Sequence, residues 1–198
     1  MKRKGLLFYI LLLLISIPVS AGWQRPVTNY TRHIYKAGNQ NWSIQQHDNG
    51  WIYVANNKGL LEFDGVEWNT YPIHNAKTRA VKVGHDGRIY IGGMEQFGYF
   101  TPNRLGGLEY TCLSDSLSPN VNVGVIWNIL LDGERVYFQS DRRFFYWEEG
   151  IVKKIDYSSE IYTSFILRNK LYITSAEGLL MLNGTEFIPV LGPLGIGA

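Results

Sequence analysis

Five side chains stand where this sequence would meet a ligand: Trp42, Arg79, Glu95, Trp127 and Arg142. Aromatic rings and charged groups converging on one rim suit a polar ligand, a glycan or a peptide, that stacks and hydrogen-bonds. A competing assignment packs Trp42 and Trp127 between neighbouring modules and leaves the charges in water. His47-Asp48 and His85-Asp86 have the composition of acid–base or metal pairs. They fall at equivalent turns of successive repeats, so repetition explains them better. No His pair has zinc-ligand spacing, and the single cysteine, Cys112, cannot complete a site. Glu148-Glu149 are neighbours in a surface turn, where side chains diverge. There is no Gly-x-Ser-x-Gly elbow and no phosphate-cradling glycine loop. The residues therefore predict binding, with no catalytic group, no metal and no cofactor.

The elements that must position these residues are short strands and tight turns. Gly50–Trp68 reads as strand Ile52–Ala55, turn Asn56–Gly59, strand Leu60–Phe63, turn Asp64-Gly65, and a third strand opening at Val66-Glu67-Trp68. Strand Ser43–Gln46 precedes it. The grammar recurs with Ala80–Val83, Arg88–Ile91, Phe97–Phe100 and Leu108–Tyr110. It recurs again with Asn128–Leu131, Val136–Gln139, Phe144–Trp147 and Ile151–Ile155, and then with Phe165–Leu167, Leu171–Thr174, Leu179–Leu182 and Thr185–Phe187. Tyr53, Tyr90, Tyr137 and Tyr172 hold the same place in the second strand, at spacings of 37, 47 and 35. Gly65-Val66-Glu67-Trp68, Gly107-Leu108-Glu109-Tyr110 and Gly184-Thr185-Glu186-Phe187 share the form Gly-x-Glu-aromatic. The third unit departs from it with Gly150-Ile151-Val152-Lys153.

Matched positions at this period predict an all-β fold, a β-propeller of about four four-stranded blades. A β-sandwich does not explain the repeated turns. The expected divisions are a signal peptide at 1–21, a lead-in at 22–41, repeats over 42–192 (blades near 42–75, 78–115, 123–159 and 161–192) and a tail at 193–198. Within the lead-in, Val27–Tyr35 is expected to supply a strand. Four units are few for the fold, so a partial propeller from the N-terminal part of a longer protein is expected, with unpaired edges at both ends; a four-bladed ring is the alternative. Cys112 reads as a small buried apolar residue.

Composition agrees with export. Lys2-Arg3-Lys4, the apolar run Gly5–Ile17 and Val19-Ser20-Ala21 have the pattern of a cleaved secretory signal. The run has 13 residues, against the roughly 20 of a spanning helix, which argues against an uncleaved anchor. The whole chain has 19 Lys+Arg and 17 Asp+Glu. Removing the three basic residues of the signal leaves 16 against 17, a net of −1. No basic excess remains to bind nucleic acid. Localisation is expected to be periplasmic.

Gln40-Asn41-Trp42-Ser43, Tyr53–Gly65 and Arg88–Gly93 resemble a known family. It is the periplasmic sensor region of Bacteroidetes regulators with two-component-regulator propeller repeats, including hybrid histidine kinases and triple-tyrosine-motif proteins with a LuxR-type helix-turn-helix. The resemblance spans roughly residues 26–190. It implies a non-catalytic sensor segment for an extracellular cue, partnered by its parent protein's own sandwich, membrane span and output domains. In many members the aromatic of the second strand is tryptophan; here it is tyrosine in all four units. The other readings are an exported propeller enzyme, a glycan hydrolase or lyase, and a periplasmic protein-docking scaffold.

Overall fold

The computed structural model describes residues 26–74 and 77–190. The expected signal peptide, the start of the lead-in and the tail at 193–198 lie outside the described residues. Among the described residues, sixteen strands form four antiparallel four-stranded sheets, each ordered as a simple meander. Blade 1 is β1 (Asn41–Gln46), β2 (Ile52–Asn56), β3 (Gly59–Phe63) and β4 (Trp68–Tyr71). Blade 2 is β5 (Thr78–Val83), β6 (Ile89–Gly93), β7 (Phe97–Pro102) and β8 (Leu108–Cys112). Blade 3 is β9 (Asn128–Asp132), β10 (Arg135–Gln139), β11 (Arg143–Glu148) and β12 (Ile151–Asp156). Blade 4 is β13 (Ile161–Leu167), β14 (Lys170–Ser175), β15 (Gly178–Asn183) and β16 (Glu186–Pro189). The innermost strands β1, β5, β9 and β13 adjoin in that order. This is the all-β propeller fold that the repeats predict.

Packing explains why the tyrosines recur. Tyr53, Tyr90 and Tyr137 are almost fully buried, and each joins an apolar cluster with the blade that follows. Tyr53 meets Val81, Ile89, Ile91 and Phe100 of blade 2. Tyr90 meets Ile129, Val136, Phe138 and Phe145 of blade 3. Tyr137 meets Ile161, Leu171, Ile173 and Leu180 of blade 4. In each case the residues on either side of the next blade's tyrosine receive the incoming ring. Strand alternation thus sends the tyrosine to one neighbour and its flanks to the other. Burying such a side chain is worth about 2 kcal/mol, so three clusters hold the blades in series.

Close approach of neighbouring atoms excludes a side chain at several glycines of these strands, Gly59 and Gly92 among them. Gly59 has φ +129, and a Cβ there would stand 2.2 Å from the Tyr71 carbonyl oxygen. At Gly92 a Cβ would stand 2.4 Å from Ile126 Cγ2, in the seam between blades 2 and 3.

The lead-in departs from expectation. Arg32–Tyr35 is one turn of helix, α1, closed by Lys36 at φ 50, where the sequence predicted a strand. The Thr31 carbonyl accepts the Ile34 and Tyr35 N–H groups, a local alternative to pairing. Tyr35 and Ala37 then pack on Val54, Leu61, Ile52 and Trp68. They cover the face of blade 1 that, in blades 2 to 4, receives a tyrosine. Blade 1 is therefore covered on that face.

Two local differences follow from side-chain hydrogen bonds. The strand expected to open at Val66 is β4 and begins at Trp68, because Asp64 Oδ1 accepts the N–H groups of Val66 and Glu67 at 2.8 and 2.7 Å and holds them in the turn. Cys112 is half-buried in a polar niche, with Sγ 3.1 Å from Asp115 Oδ1 and 3.2 Å from Ser114 Oγ. Burial is the main influence that raises its pKa.

Candidate functional site

Ladder register places the site residues. The matched tyrosines pair across the sheet with Gln45, Lys82, Leu130 and Phe165 of the innermost strands. Three residues before each partner stand Trp42, Arg79, Trp127 and Tyr162. In blades 1, 2 and 4 the register shifts there, between Asn41 and Ser43, Thr78 and Ala80, and Ile161 and Thr163. The extra residue has no ladder partner, and such a bulge re-aims its side chain. In blade 3, Trp127 lies just before β9 and donates its backbone N–H to the Gln139 carbonyl at 2.9 Å.

Three of the four meet. The Trp42 and Trp127 rings contact edge to face, 6.1 Å between centroids. The Arg79 guanidinium lies over Trp42, 4.1 Å from the ring centre. Turn residues between the second and third strands fix the polar atoms. Asn57 Oδ1 accepts from Trp42 Nε1 at 3.0 Å and from Arg79 at 2.8 Å. Asp141 Oδ1 accepts from Trp127 Nε1 at 2.6 Å. Both tryptophans remain 45% exposed, so they are not consumed by packing between blades. Burial lowers the pKa of Arg79, which remains a cation at neutral pH.

Glu95 and Arg142 are placed differently. Glu95, at φ 57, accepts the N–H groups of Val123 and Gly124, both at 3.1 Å, and anchors the long connection between blades 2 and 3. Arg142 is exposed beside a cavity of about 300 Å³ formed with Asn122–Gly124 and Ser140–Arg143. Tyr162, 61% exposed, is the member that motif matching missed. Its only signal is register, three residues before the partner of Tyr172.

Larger cavities open at the opposite end of the sheets, beside the turns that join first to second strands. One of about 550 Å³ lies between blades 2 and 3, lined by His85, Asp86, Arg88, Glu134, Trp147 and Glu148 among others. Another, of about 470 Å³, shares Gly84, His85 and Leu131 with it and reaches Gln45 and His47. The charged groups in the larger cavity are largely paired. Arg88 bonds Asp86 at 2.6 Å and lies over Tyr99 and Trp147, and Tyr90 donates to Asp86 at 2.7 Å. Arg135, outside the cavity, bonds Glu148 at 2.7 Å. Among the described residues no group of three or more His, Cys, Asp or Glu could hold a metal, and no helix is long and apolar enough to cross a membrane.

Solved structures share this fold. The extracellular domain of BT4673 from B. thetaiotaomicron, described as a one-component or hybrid two-component system, superposes with a TM-score of 0.60 at 14% identity. The match covers 83% of this chain and 24% of that one. Virginiamycin B lyase from Staphylococcus aureus gives 0.62 at 13% identity, over 79% of this chain and 57% of the lyase. PorZ, a surface component of the Porphyromonas gingivalis type-IX secretion system, gives 0.59 at 11% identity, over 83% of this chain and 29% of PorZ. At these identities the likeness establishes the propeller fold. The chain spans about a quarter of the BT4673 domain and just over half of the lyase. No family model matches the sequence. No curated protein matches it either.

Proposed function

We propose that this chain is the ligand-binding, non-catalytic part of an exported sensor that regulates transcription through further domains of its protein. The observation that carries the reading is the meeting of Trp42, Arg79 and Trp127 from three different blades. Two half-exposed indoles and a stacked guanidinium offer apolar ring faces and a fixed donor, the combination that takes a glycan or a peptide. The likeness to an extracellular domain of a signalling system supports it, as do the sequence resemblance and the signal-like N-terminus. On this reading the protein is periplasmic and anchored in the inner membrane.

Titration of the chain with oligosaccharide and peptide panels, followed by tryptophan fluorescence, tests this. A saturable change lost in Trp127→Ala is expected; saturable binding unaffected by Trp42→Ala, Arg79→Ala and Trp127→Ala would place the site elsewhere. The lyase likeness gives the enzyme reading its one support. Turnover of a glycan or of a streptogramin, abolished by Arg79→Ala, would replace the sensor proposal with that one. A stable protein partner with no small ligand would favour a docking scaffold.

A further inference from the structure

Blade 4 repeats the donor half of the inter-blade interface without a recipient among the described residues. Tyr172 stands where Tyr53, Tyr90 and Tyr137 stand, yet it is only half-buried. Leu179 pairs with Thr174 as Leu60 pairs with Ala55, two residues beyond the matched tyrosine in each blade. Leu60 is 0% exposed and Leu179 is 40% exposed. Phe165 stacks on Tyr172 at 5.5 Å and extends the same face toward Leu167, 55% exposed. The other side of the sheet, with Leu171, Ile173 and Leu180, is filled by Tyr137 and Phe144 of blade 3.

Blade 1 does not supply the recipient. Its tyrosine-receiving face, Ile52 and Val54 with Leu61, is occupied by Tyr35 and Ala37 of the lead-in. No apolar cluster among the described residues joins blade 4 to blade 1. The series is capped at blade 1 and open at blade 4.

We infer that the face of Tyr172, Leu179 and Phe165 is a docking surface for a further four-stranded blade of the same polypeptide. The chemistry of that blade follows from the three interfaces already formed. Apolar residues flank the aromatic of its second strand, as Ile89 and Ile91, Val136 and Phe138, and Leu171 and Ile173 do. A polar residue at the start of its first strand also has acceptors waiting. Thr78 Oγ1 donates to the carbonyls of Asn56 and Gly59 at the blade 1–blade 2 seam. Ser175 and Gly178 hold the corresponding places in blade 4, again as a pair at the strand ends with the glycine at positive φ. An occupant in series continues an interface that the molecule builds three times, in each case from blades consecutive in the chain.

The test extends the full chain after Ala198 with a second copy of Lys77–Leu113, blade 2, whose flanking residues already accept Tyr53. Hydroxyl-radical labelling of Tyr172 and Leu179 is expected to fall severalfold, to the level of Tyr53 and Leu60. Tyr172→Ser is expected to lower the urea midpoint of the extended chain and leave that of the 198-residue chain nearly unchanged; Leu179→Asp gives a second reading. Labelling that does not change on extension, or equal midpoint shifts in both chains, overturns the inference. A 198-residue chain that sediments as a dimer and is split by Leu179→Asp would assign the face to a second copy, and also overturns it.

Discussion

Trp42 and Trp127 meet edge to face, at 66° between ring planes, although one opens blade 1 and the other precedes blade 3. Their contact bridges the start of blade 2, where Arg79 lies over Trp42. Each indole N–H is held by a turn residue of its own blade, Asn57 or Asp141. The rings are therefore oriented by hydrogen bonds and left partly open to solvent.

Removing either ring separates binding from folding. Trp127→Ala should weaken ligand binding at least tenfold, about 1.4 kcal/mol. It should change unfolding by no more than about 1 kcal/mol, since a half-exposed side chain carries little of the core. Titration calorimetry and urea denaturation read the two quantities. A large loss of stability with unchanged binding would make the tryptophans packing residues.

Arg79→Lys keeps the charge and loses the planar group. The guanidinium stacks on Trp42 and bonds Asn57, and an ammonium cannot do both in one plane. Binding should fall about threefold to tenfold, close to the cost of an exposed cation–π contact and one hydrogen bond. Equal affinity would show that only charge matters.

Glu95→Ala should destabilise the chain by about 1–2 kcal/mol, through loss of charge-assisted bonds to Val123 and Gly124. Amide exchange at those two residues should accelerate, while ligand affinity stays within twofold. A selective loss of affinity would restore Glu95 to the binding site.

Phe138→Ala removes a ring that is 0% exposed and packed 4.5 Å from Phe97 between blades 2 and 3. A loss of about 3–5 kcal/mol is expected from the cavity left behind, read as a lower urea midpoint. A loss under about 1 kcal/mol would mean the seam collapses around the gap.

Acid stability should report Asp86. Burial raises its pKa, but hydrogen bonds from Tyr90 and Arg88 outweigh this and leave it below the ordinary 3.8. A depressed carboxylate adds stability that is present above its unfolded value and lost as pH falls through the folded one. Below about pH 4 the wild type should therefore lose stability more steeply than Asp86→Asn. Parallel pH profiles for the two proteins would contradict this.

Most of the fold was legible because a propeller writes one packing rule several times. A tyrosine that enters the next blade, with apolar flanks that receive the previous one, leaves a fixed mark at each repeat. The lead-in was misread because Val27–Tyr35 carries β-prone residues. A single turn of helix there is decided by Tyr35 burying against Trp68, a contact distant in sequence. The cluster at the strand starts was half legible as an arrangement of residues. Trp42, Arg79 and Trp127 were found as unusual residues at strand starts. Tyr162 was not, because tyrosines are common in this chain and only register distinguishes it. The cavities beside His85 were passed over because their residues sit in ordinary Asp-Gly turns, and a cavity between blades leaves no local pattern.

A residue that takes no part in a ladder is released from the ladder's demands on shape. Trp, Arg, Trp and Tyr at the four bulged or strand-opening positions are as chemically unlike as the scaffold beneath them is alike. Exchanging one for another should therefore cost the frame little. On the proposed reading, recognition is spelled one residue per module, and a change of specificity needs substitution at no more than a few such places.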